Sequence, residues 1–388
     1  MVKDMSKVSI VRCKDYDDYN KVYSSVKKSI ELIGMMERVV KPGDKVLVKP
    51  NLLSAKSPEK GVTTHPSLVK AVIQLVKELG GKPFIGDSSF EMLFRNNTSE
   101  MQKIAKVTGM KKIADEMDVE FIGFKDSAAV NTPKECLFKN LEIARDALEA
   151  DVVINLPKLK THSQMIMTLS VKNMFGCVVG NRKMQWHFKA GIDISYFGKM
   201  LVDIYYTIKP ILSIVDGIVG LEGNGPGASG IPRNMGLIIA GNDCIAIDTV
   251  ICEIVGLKVD ELPTNKAAID GGIGVSDISD IEILGEDIKG IKVNDFVFPE
   301  TVELRFGPRF LTNTIRNSIS HKPIEDKKRC TLCGSCVAVC PVQIIKIGKT
   351  RLYFEYDRCI RCYCCIEVCP EGAMRTKKGY LTGLIERG

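Results

Sequence analysis

The chain reads as an α/β protein, a mostly parallel or mixed sheet covered by helices, with a small α+β domain at its C-terminus. Three observations predict this. Short apolar runs alternate with amphipathic helical stretches from residue 1 to about 300. The apolar content, 45% of 388 residues, is enough for two or three domains with real cores. Eight cysteines fall in a regular double pattern between Cys330 and Cys369.

The elements follow in order. Val46-Leu47-Val48 is a short strand. Pro66 to Leu79 is a helix with Leu68, Val69, Val72, Ile73, Leu75, Val76 and Leu79 on one broad stripe; Pro66 suits its first turn, and Gly80-Gly81 ends it. Pro83-Phe84-Ile85, Val152-Val153-Ile154, Ile211 to Val215 and Leu237 to Ala240 are buried strands. Asp243 to Val255 is a helix, and Ile281 to Leu284 a late strand. Periodicity does not give their pairing order.

Polar residues stand where these strands end. Lys49 and Asn51 follow the first, Asp87 and Ser88 the second, Asn155, Lys158, Lys160 and His162 the third, Asp216 the fourth, and Asn242 and Asp243 the fifth. Ligands of open α/β sheets bind beyond the carboxyl ends of the strands, so parallel strands would gather these groups on one rim. Polar loops at strand ends are the bland alternative.

The densest stretch runs from Asn155 to His187. Lys158, Lys160, Lys172 and Lys183 crowd there with His162, His187 and Asn173, and few acids intervene. Pro157 makes the entry extended, and period two puts Lys158, Lys160 and His162 on one side. Such a group suits a carboxylate or phosphate, and a histidine can move protons near neutral pH. We expect Lys158, Lys160, His162 and His187 in catalytic roles. Lys49, Asn51, Asp87, Lys172, Asn173, Lys183 and Asp216 are the expected substrate contacts. Asp216 could equally bind a metal or hold a lysine. Gly217 to Gly230 holds six glycines between two strands. It lacks the Gly-Lys-Ser/Thr of a P-loop, and no helix opens after it, so it predicts neither ATP nor NAD. A long turn, a lid and an anion-binding nest all suit it. No flavin motif is visible.

The cysteines read Cys330-x-x-Cys333-x-x-Cys336-x-x-x-Cys340-Pro341 and Cys359-x-x-Cys362-x-x-Cys365-x-x-x-Cys369-Pro370. This is the bacterial-ferredoxin spacing written twice, in which the fourth Cys of each run serves the other cluster. It predicts two [4Fe-4S] clusters, one on Cys330, Cys333, Cys336 and Cys369, the other on Cys359, Cys362, Cys365 and Cys340. Zinc sites use four ligands in two pairs and do not need this duplication. A disulfide framework needs an oxidising compartment, and Met1 to Ser6 carries no signal-peptide character. Cys364 is a ninth sulfur, either packed or tuning the second cluster.

The charge is +7 overall. From Pro323 to Gly388 there are twelve Lys and Arg against seven Asp and Glu, hence +5. Each oxidised cubane with four thiolates adds about two negative charges, so the basic residues neutralise clusters and shape a docking face. No nucleic-acid motif is present. No apolar run reaches the roughly 18 residues of a membrane span. The expected setting is cytoplasmic, in an anaerobic or microaerobic niche.

Lys49-Pro50-Asn51-Leu52, Gly86-Asp87, Asn155 to His162, Lys172-Asn173-Met174-Phe175-Gly176, Val215-Asp216-Gly217 and Asp243 to Asp248 together resemble the DUF362 domain, here fused to a 2x[4Fe-4S] ferredoxin domain. Cys244 stands where a Pro or small residue is expected. The resemblance implies a DUF362-like domain over 1–300, a basic connector over 301–322 (Arg305, Arg309 and Arg316 among it), and a ferredoxin-like α+β domain over 323–388. It implies an oxidoreductase-like role and no settled reaction. The expected function is an iron-sulfur oxidoreductase. It would exchange electrons with a soluble low-potential carrier protein and act on an anionic small molecule. The alternative is an electron-transfer or docking subunit, or a metalloenzyme maturation factor, without substrate turnover. A docked tail would favour direct transfer, a loose one shuttling.

Overall fold

Alternation of apolar side chains builds ten strands into one mixed sheet. The computed structural model describes residues 5–36, 38–89, 97–300 and 321–377. The predicted connector therefore lies outside the described residues except for its last two. The strands are β1 (Ser6–Arg12), β2 (Lys45–Pro50), β3 (Lys82–Asp87), β4 (Phe121–Gly123), β5 (Ser127–Asn131), β6 (Asn140–Ala144), β7 (Val152–Leu156), β8 (Lys158–His162), β9 (Ile166–Thr168), β10 (Leu212–Gly223), β11 (Gly230–Gly241) and β12 (Ile281–Gly285). The large sheet has the order β12-β1-β11-β10-β7-β2-β3-β4, with β8 pairing β10 and β9. The pairings make β11 and β9 the strands of this sheet that run against the rest. β5 and β6 form a separate antiparallel pair.

Successive residues of a strand face opposite sides, and the core divides accordingly. Val46, Val48, Ile85, Ile154 and Ile214 meet helices Tyr19–Leu32 and Pro66–Glu78 on one face. Leu47, Phe84 and Val153 meet the segment 165–205 on the other. Helix Pro66–Glu78 starts where the sequence places it, with His65 Nδ1 accepting from the Ser67 N–H. Helix Cys244–Val255 is capped by Asp243, whose Oδ1 accepts from the Ile245 N–H at 2.8 Å.

Two expectations change. The β10–β11 hairpin sends β11 back down the sheet, with Ser213 opposite Gly241. Asn242 and Asp243 therefore sit at the rim opposite the other polar strand ends. The glycine-rich segment is also no long loop. β10 continues to Gly223 and β11 begins at Gly230, so only residues 224–229 turn. Several glycines there permit close approach: a methyl on Gly225 would collide with the Thr161 carbonyl oxygen, and one on Gly227 would lie 2.9 Å from that of Glu367.

The C-terminal unit contains β13 (Lys322–Glu325), β14 (Ile345–Ile347), β15 (Leu352–Phe354) and β16 (Met374–Lys377), paired β13 with β16 and β14 with β15. Its apolar residues Val339, Ile344, Leu352 and Ile366 join the same buried cluster as Phe175 and Leu201. The tail is thus docked on the sheet domain. Among the described residues, no helix is long and apolar enough to cross a membrane.

Because the Gly225 contact is with backbone, nothing can swing aside. Gly225→Ala is expected to cost about 1–3 kcal/mol, as overpacking does. It should appear as a lower urea midpoint at unchanged m-value; an unchanged midpoint would show the approach to be looser.

Candidate functional site

Five lysines gather at the carboxyl ends of the strands, four of them fully buried. Lys49, Lys158, Lys160 and Lys183 expose at most 3% of their surface; Lys172 is half-buried. Each buried ammonium must be answered by acceptors. Lys49 pairs with Asp87 at 2.9 Å, and the other Asp87 oxygen accepts the Leu52 N–H at 2.8 Å. Lys158 pairs with Asp216 at 2.8 Å and donates to the Tyr16 hydroxyl at 2.9 Å. Asp216 also accepts the Tyr16 hydroxyl and the His65 N–H, and Tyr16 stacks on His65 at 3.6 Å. Of the two roles left open for Asp216, the structure shows the lysine-holding one.

Lys160 differs. It donates to Asn51 Oδ1 and the Val62 carbonyl, each at 2.7 Å, and no carboxylate lies within ion-pair distance among the described residues. Burial and the nearby Lys172 push its pKa well down. Lys183 donates to the Ser88 carbonyl and hydroxyl. Burial lowers it to about 8 despite Asp87. Burial also lowers Lys172, against the pull of Glu367 and the Cys364 thiol. An amide relay fixes the floor. The Asn51 amide donates to Asn173, and that of Asn173 to Asn155, both at 2.8 Å; Asn155 donates on to Ser213 and the Ser170 carbonyl. The short helix Ser170–Asn173 that carries Lys172 is held by Asp248, which accepts its first two N–H groups. Burial raises Asp248 to about 7.

Lys160, Lys172, Lys183, His162, Asn51 and Glu367 are among the groups lining a cavity of about 60 Å³. A water needs some 10–15 Å³ on this scale, so the space suits a carboxylate-sized group or a few waters. The Lys49–Asp87 pair cancels, and Glu367 offsets one cation. The wall keeps a surplus of positive charge.

Glu367 comes from the cysteine-rich tail. Its Oε1 lies 2.7 Å from His162 Nε2, both groups buried. His162 Nδ1 accepts the N–H groups of Gln164 and Met165, so the proton sits on Nε2 and points at Glu367. Burial and Lys172 lower His162 to about 4, so it is neutral at pH 7. Burial opposes ionisation of Glu367, but His162 and Lys172 outweigh it and hold the acid at about 2. Further contacts fix the tail: Lys56 donates to the Pro370 carbonyl, Ser229 to those of Gly372 and Met374, and Thr376 to Glu300.

The two cysteine loops share one backbone. Left-handed residues recur at matching places: Leu332 and Arg361 at φ 55° and 56°, Gly334 and Tyr363 at 83° and 58°, Gln343 and Gly372 at 52° and 55°. The Ile344 N–H donates to Cys340 Sγ, and the Ala373 N–H to Cys369 Sγ. Cys330, Cys333, Cys336 and Cys369 line one small cavity. Cys340 stands within electrostatic reach of Cys359 and Cys362, and Cys365 of all three. The fourth thiol of each run thus lies beside thiols of the other run. Among the described residues no trio of His, Cys, Asp or Glu closes on a single metal ion. Each thiol set fits a polynuclear cluster, whose ligands stand apart around a cube. Cys364 is buried, its Sγ 4.0 Å from the Cys362 carbonyl, on the short helix Cys364–Glu367 that also bears Cys365.

Of the expected site residues, the cavity gathers Asn51, Asp87, Lys160, His162, Lys172, Asn173 and Lys183, with Lys49 behind Asp87. Lys158 and Asp216 form a separate buried network and do not line it. His187 lies behind the wall, stacked on Phe197 at 4.4 Å, and burial takes it down to about 3. Neither expected histidine is an imidazolium at neutral pH. Sequence reasoning missed Glu367, Tyr16 and Asp248. Glu367 had one signal, an acid inside a cysteine spacer, and nothing local told which way it points.

The chain is therefore, in class, an iron-sulfur protein whose cysteine module is docked over a buried lysine cavity in an α/β sheet domain. It belongs to the family described as "Domain of unknown function (DUF362)", whose model matches residues 46–253. A 4Fe-4S dicluster domain matches residues 322–370. The chain is 38% identical over 312 residues to "Thylakoid-associated protein sll1697" of Synechocystis sp. (strain ATCC 27184 / PCC 6803 / Kazusa), covering 80% of this chain and 94% of that protein. Among solved structures, the lactate racemase apoprotein from Thermoanaerobacterium thermosaccharolyticum aligns with TM-score 0.38 and 13% identity, over 62% of this chain and 54% of that one. This chain spans about half the length of that structure, and a likeness at that level carries no argument.

If Lys158 serves Asp216 and no ligand, its removal is a stability event. Lys158→Met should cost about 3–5 kcal/mol by stranding a buried carboxylate. Adding Asp216→Asn should recover much of that loss in chemical denaturation.

Proposed function

We propose that this chain is an iron-sulfur oxidoreductase. Its two thiol sets would hold two [4Fe-4S] clusters, and its lysine cavity would bind the anionic head of an organic acid. One observation carries the reading: the short helix that bears Cys365 also supplies Glu367 to the wall of a cavity with surplus positive charge. The clusters supply single electrons at low potential.

The residues divide the remaining work. Lys160 and Lys172 attract the substrate anion and stabilise the charge that grows on it during reduction. Asn51 and Asn173 fix its orientation through the amide relay. Reduction of an unsaturated or oxidised acid consumes electrons and protons in equal number. The proton donor best matched to neutral pH is Lys183, held at about 8. This moves the role away from His162 and His187, which are neutral at that pH. Glu367 and His162 tie the thiol module to the cavity and exclude water between them. The electrons come from, or return to, a soluble low-potential carrier protein. A second reading is favoured by the small size of the cavity: electron delivery to a partner's metal centre, with a small anion serving only as a structural group.

The first test is anaerobic. The cluster-loaded protein is reduced, freed of reductant, and mixed with small metabolites of its host while cluster absorbance is followed. Under the first reading a metabolite reoxidises it, and Lys172→Gln or Lys160→Met slows that step by about 100-fold, the scale of one lost electrostatic contact, with the absorbance of the resting protein retained. Reoxidation by proteins alone would support the second reading.

The pH profile separates binding from proton transfer. Lys183 carries charge and proton below pH 8 and loses both above it. The rate should fall as pH rises through about 8. Lys183→Arg keeps the charge at all pH, so KM should stay flat across that range while kcat drops. A wild-type profile flat to pH 9 would remove Lys183 from the proton path.

A further inference from the structure

The two thiol sets differ in access to solvent. Cys359, Cys362 and Cys365 are buried, whereas Cys333 is exposed and Cys330 half-buried. The set containing Cys333 is the more exposed; the buried set includes Cys365, which shares its short helix with the cavity-lining Glu367. Beside the exposed thiol lies an exposed apolar side chain. Ile347 comes close to Gly334 of the same cysteine loop and pairs with Leu352 across the β14–β15 hairpin, whose opposite face carries Tyr353. Ile347 and Tyr353 leave 49% and 50% of their surface in solvent. Leu352, beside Ile347, lines the outer thiol cavity.

Exposed basic residues flank this hairpin and the start of the cysteine loop. Lys327, Lys328 and Arg329 lead directly into Cys330, and Lys349 and Arg351 form the hairpin tip; all are exposed. Arg351 lies over the Tyr353 ring at 4.7 Å. Lys327, Lys328, Arg329 and Lys349 have no ion-pair partner among the described residues. Lys346 does have one, Glu355. Glu371 at the cavity edge and Glu325, whose Oε1 accepts the Leu352 N–H, are opposing acids nearby. An exposed apolar side chain, an arginine over an exposed tyrosine, and cations without ion-pair partners are the parts of a transient protein interface.

We propose that this face docks an acidic one-electron carrier protein, which places its redox centre over Cys333. The proposal rests on the reading that the thiols hold redox clusters. It adds where electrons enter, at the outer set, and what sign of charge the partner presents. The same cations could meet an acidic lipid surface. Their place beside an exposed thiol favours a redox protein, since a lipid gains nothing from that position.

The test uses the full-length, cluster-loaded chain and two reductants, photoreduced flavodoxin as an acidic protein and the methyl viologen radical as a small cation. Second-order rates are measured from low to high salt. With flavodoxin the rate should fall by about tenfold or more as salt screens the attraction. Lys327→Glu/Lys328→Glu/Lys349→Glu should lower the low-salt rate by about tenfold and flatten the salt dependence, and the milder Lys→Gln triple should fall between. Ile347→Asp should slow transfer at every salt. Reduction by methyl viologen should not slow in any of these variants, which checks that the clusters are intact. A flavodoxin rate that rises with salt, or that ignores both triples, would overturn the proposal. So would charge-dependent binding to phosphatidylglycerol vesicles with unchanged flavodoxin kinetics. Failure of the substrate reading is seen separately, as viologen-reduced protein that no metabolite reoxidises.

Discussion

Ammonium groups held out of water are the constraint from which the site follows. An unpaired buried charge costs several kcal/mol, so each lysine dictates its neighbours. Lys49 requires Asp87, and Lys158 requires Asp216 with Tyr16 behind it. Lys160 is answered by an amide and a carbonyl, which solvate a cation without cancelling it. This difference separates a lysine paired with a carboxylate from one answered by neutral acceptors. Residues two apart on one strand, of the same type and the same burial, have different fates because one meets a carboxylate.

The cysteine module completes that balance. Glu367 brings the tail's carboxylate into the cation-rich wall, and His162, its tautomer fixed by the Gln164 and Met165 N–H groups, points its Nε2 proton at it. The hairpin turn at residues 224–229 fits between the units because its glycines have no Cβ to obstruct Thr161 and Glu367. Docking and charge compensation are thus one event. Removing the tail would expose the cavity and also strip it of an acid.

Much of the fold was legible because period and punctuation agree with it. Helix Pro66–Glu78 carries its stripe, its Pro and its Gly-Gly stop, and Cys244–Val255 its Asp cap. The cysteine register was legible because cluster geometry is written in spacing. The direction of β11 was not, since a hairpin and a crossover present the same apolar run, and Asn242 and Asp243 went to the wrong rim in consequence. The glycine-rich segment misled for a related reason. Glycine marks backbone freedom and also backbone contact, and only the packing of Leu159 and Thr161 tells which. Lys160 and Lys172 could be grouped from sequence, but Lys158 could not be excluded, because its partner Asp216 lies 58 residues away. His187 drew notice for its type alone; its ring contact with Phe197 is an ordinary core role.

The charge at the wall also bears on the electrons. A cluster gains negative charge when it is reduced, and nearby cations favour that state. Lys172 lies within electrostatic reach of Cys364 and Glu367, on the side of the inner thiols. A bound anion would oppose the same cations. Under the proposed function, substrate binding and reduction of the inner set would draw on one pool of positive charge and weaken each other. Such competition would favour transfer: an anion seated beside a reduced cluster would raise the free energy of the electron there and speed its departure to the substrate. Surplus cations without this neighbour would only bind anions. Placed between a cavity and a thiol set, they would couple binding to electron release.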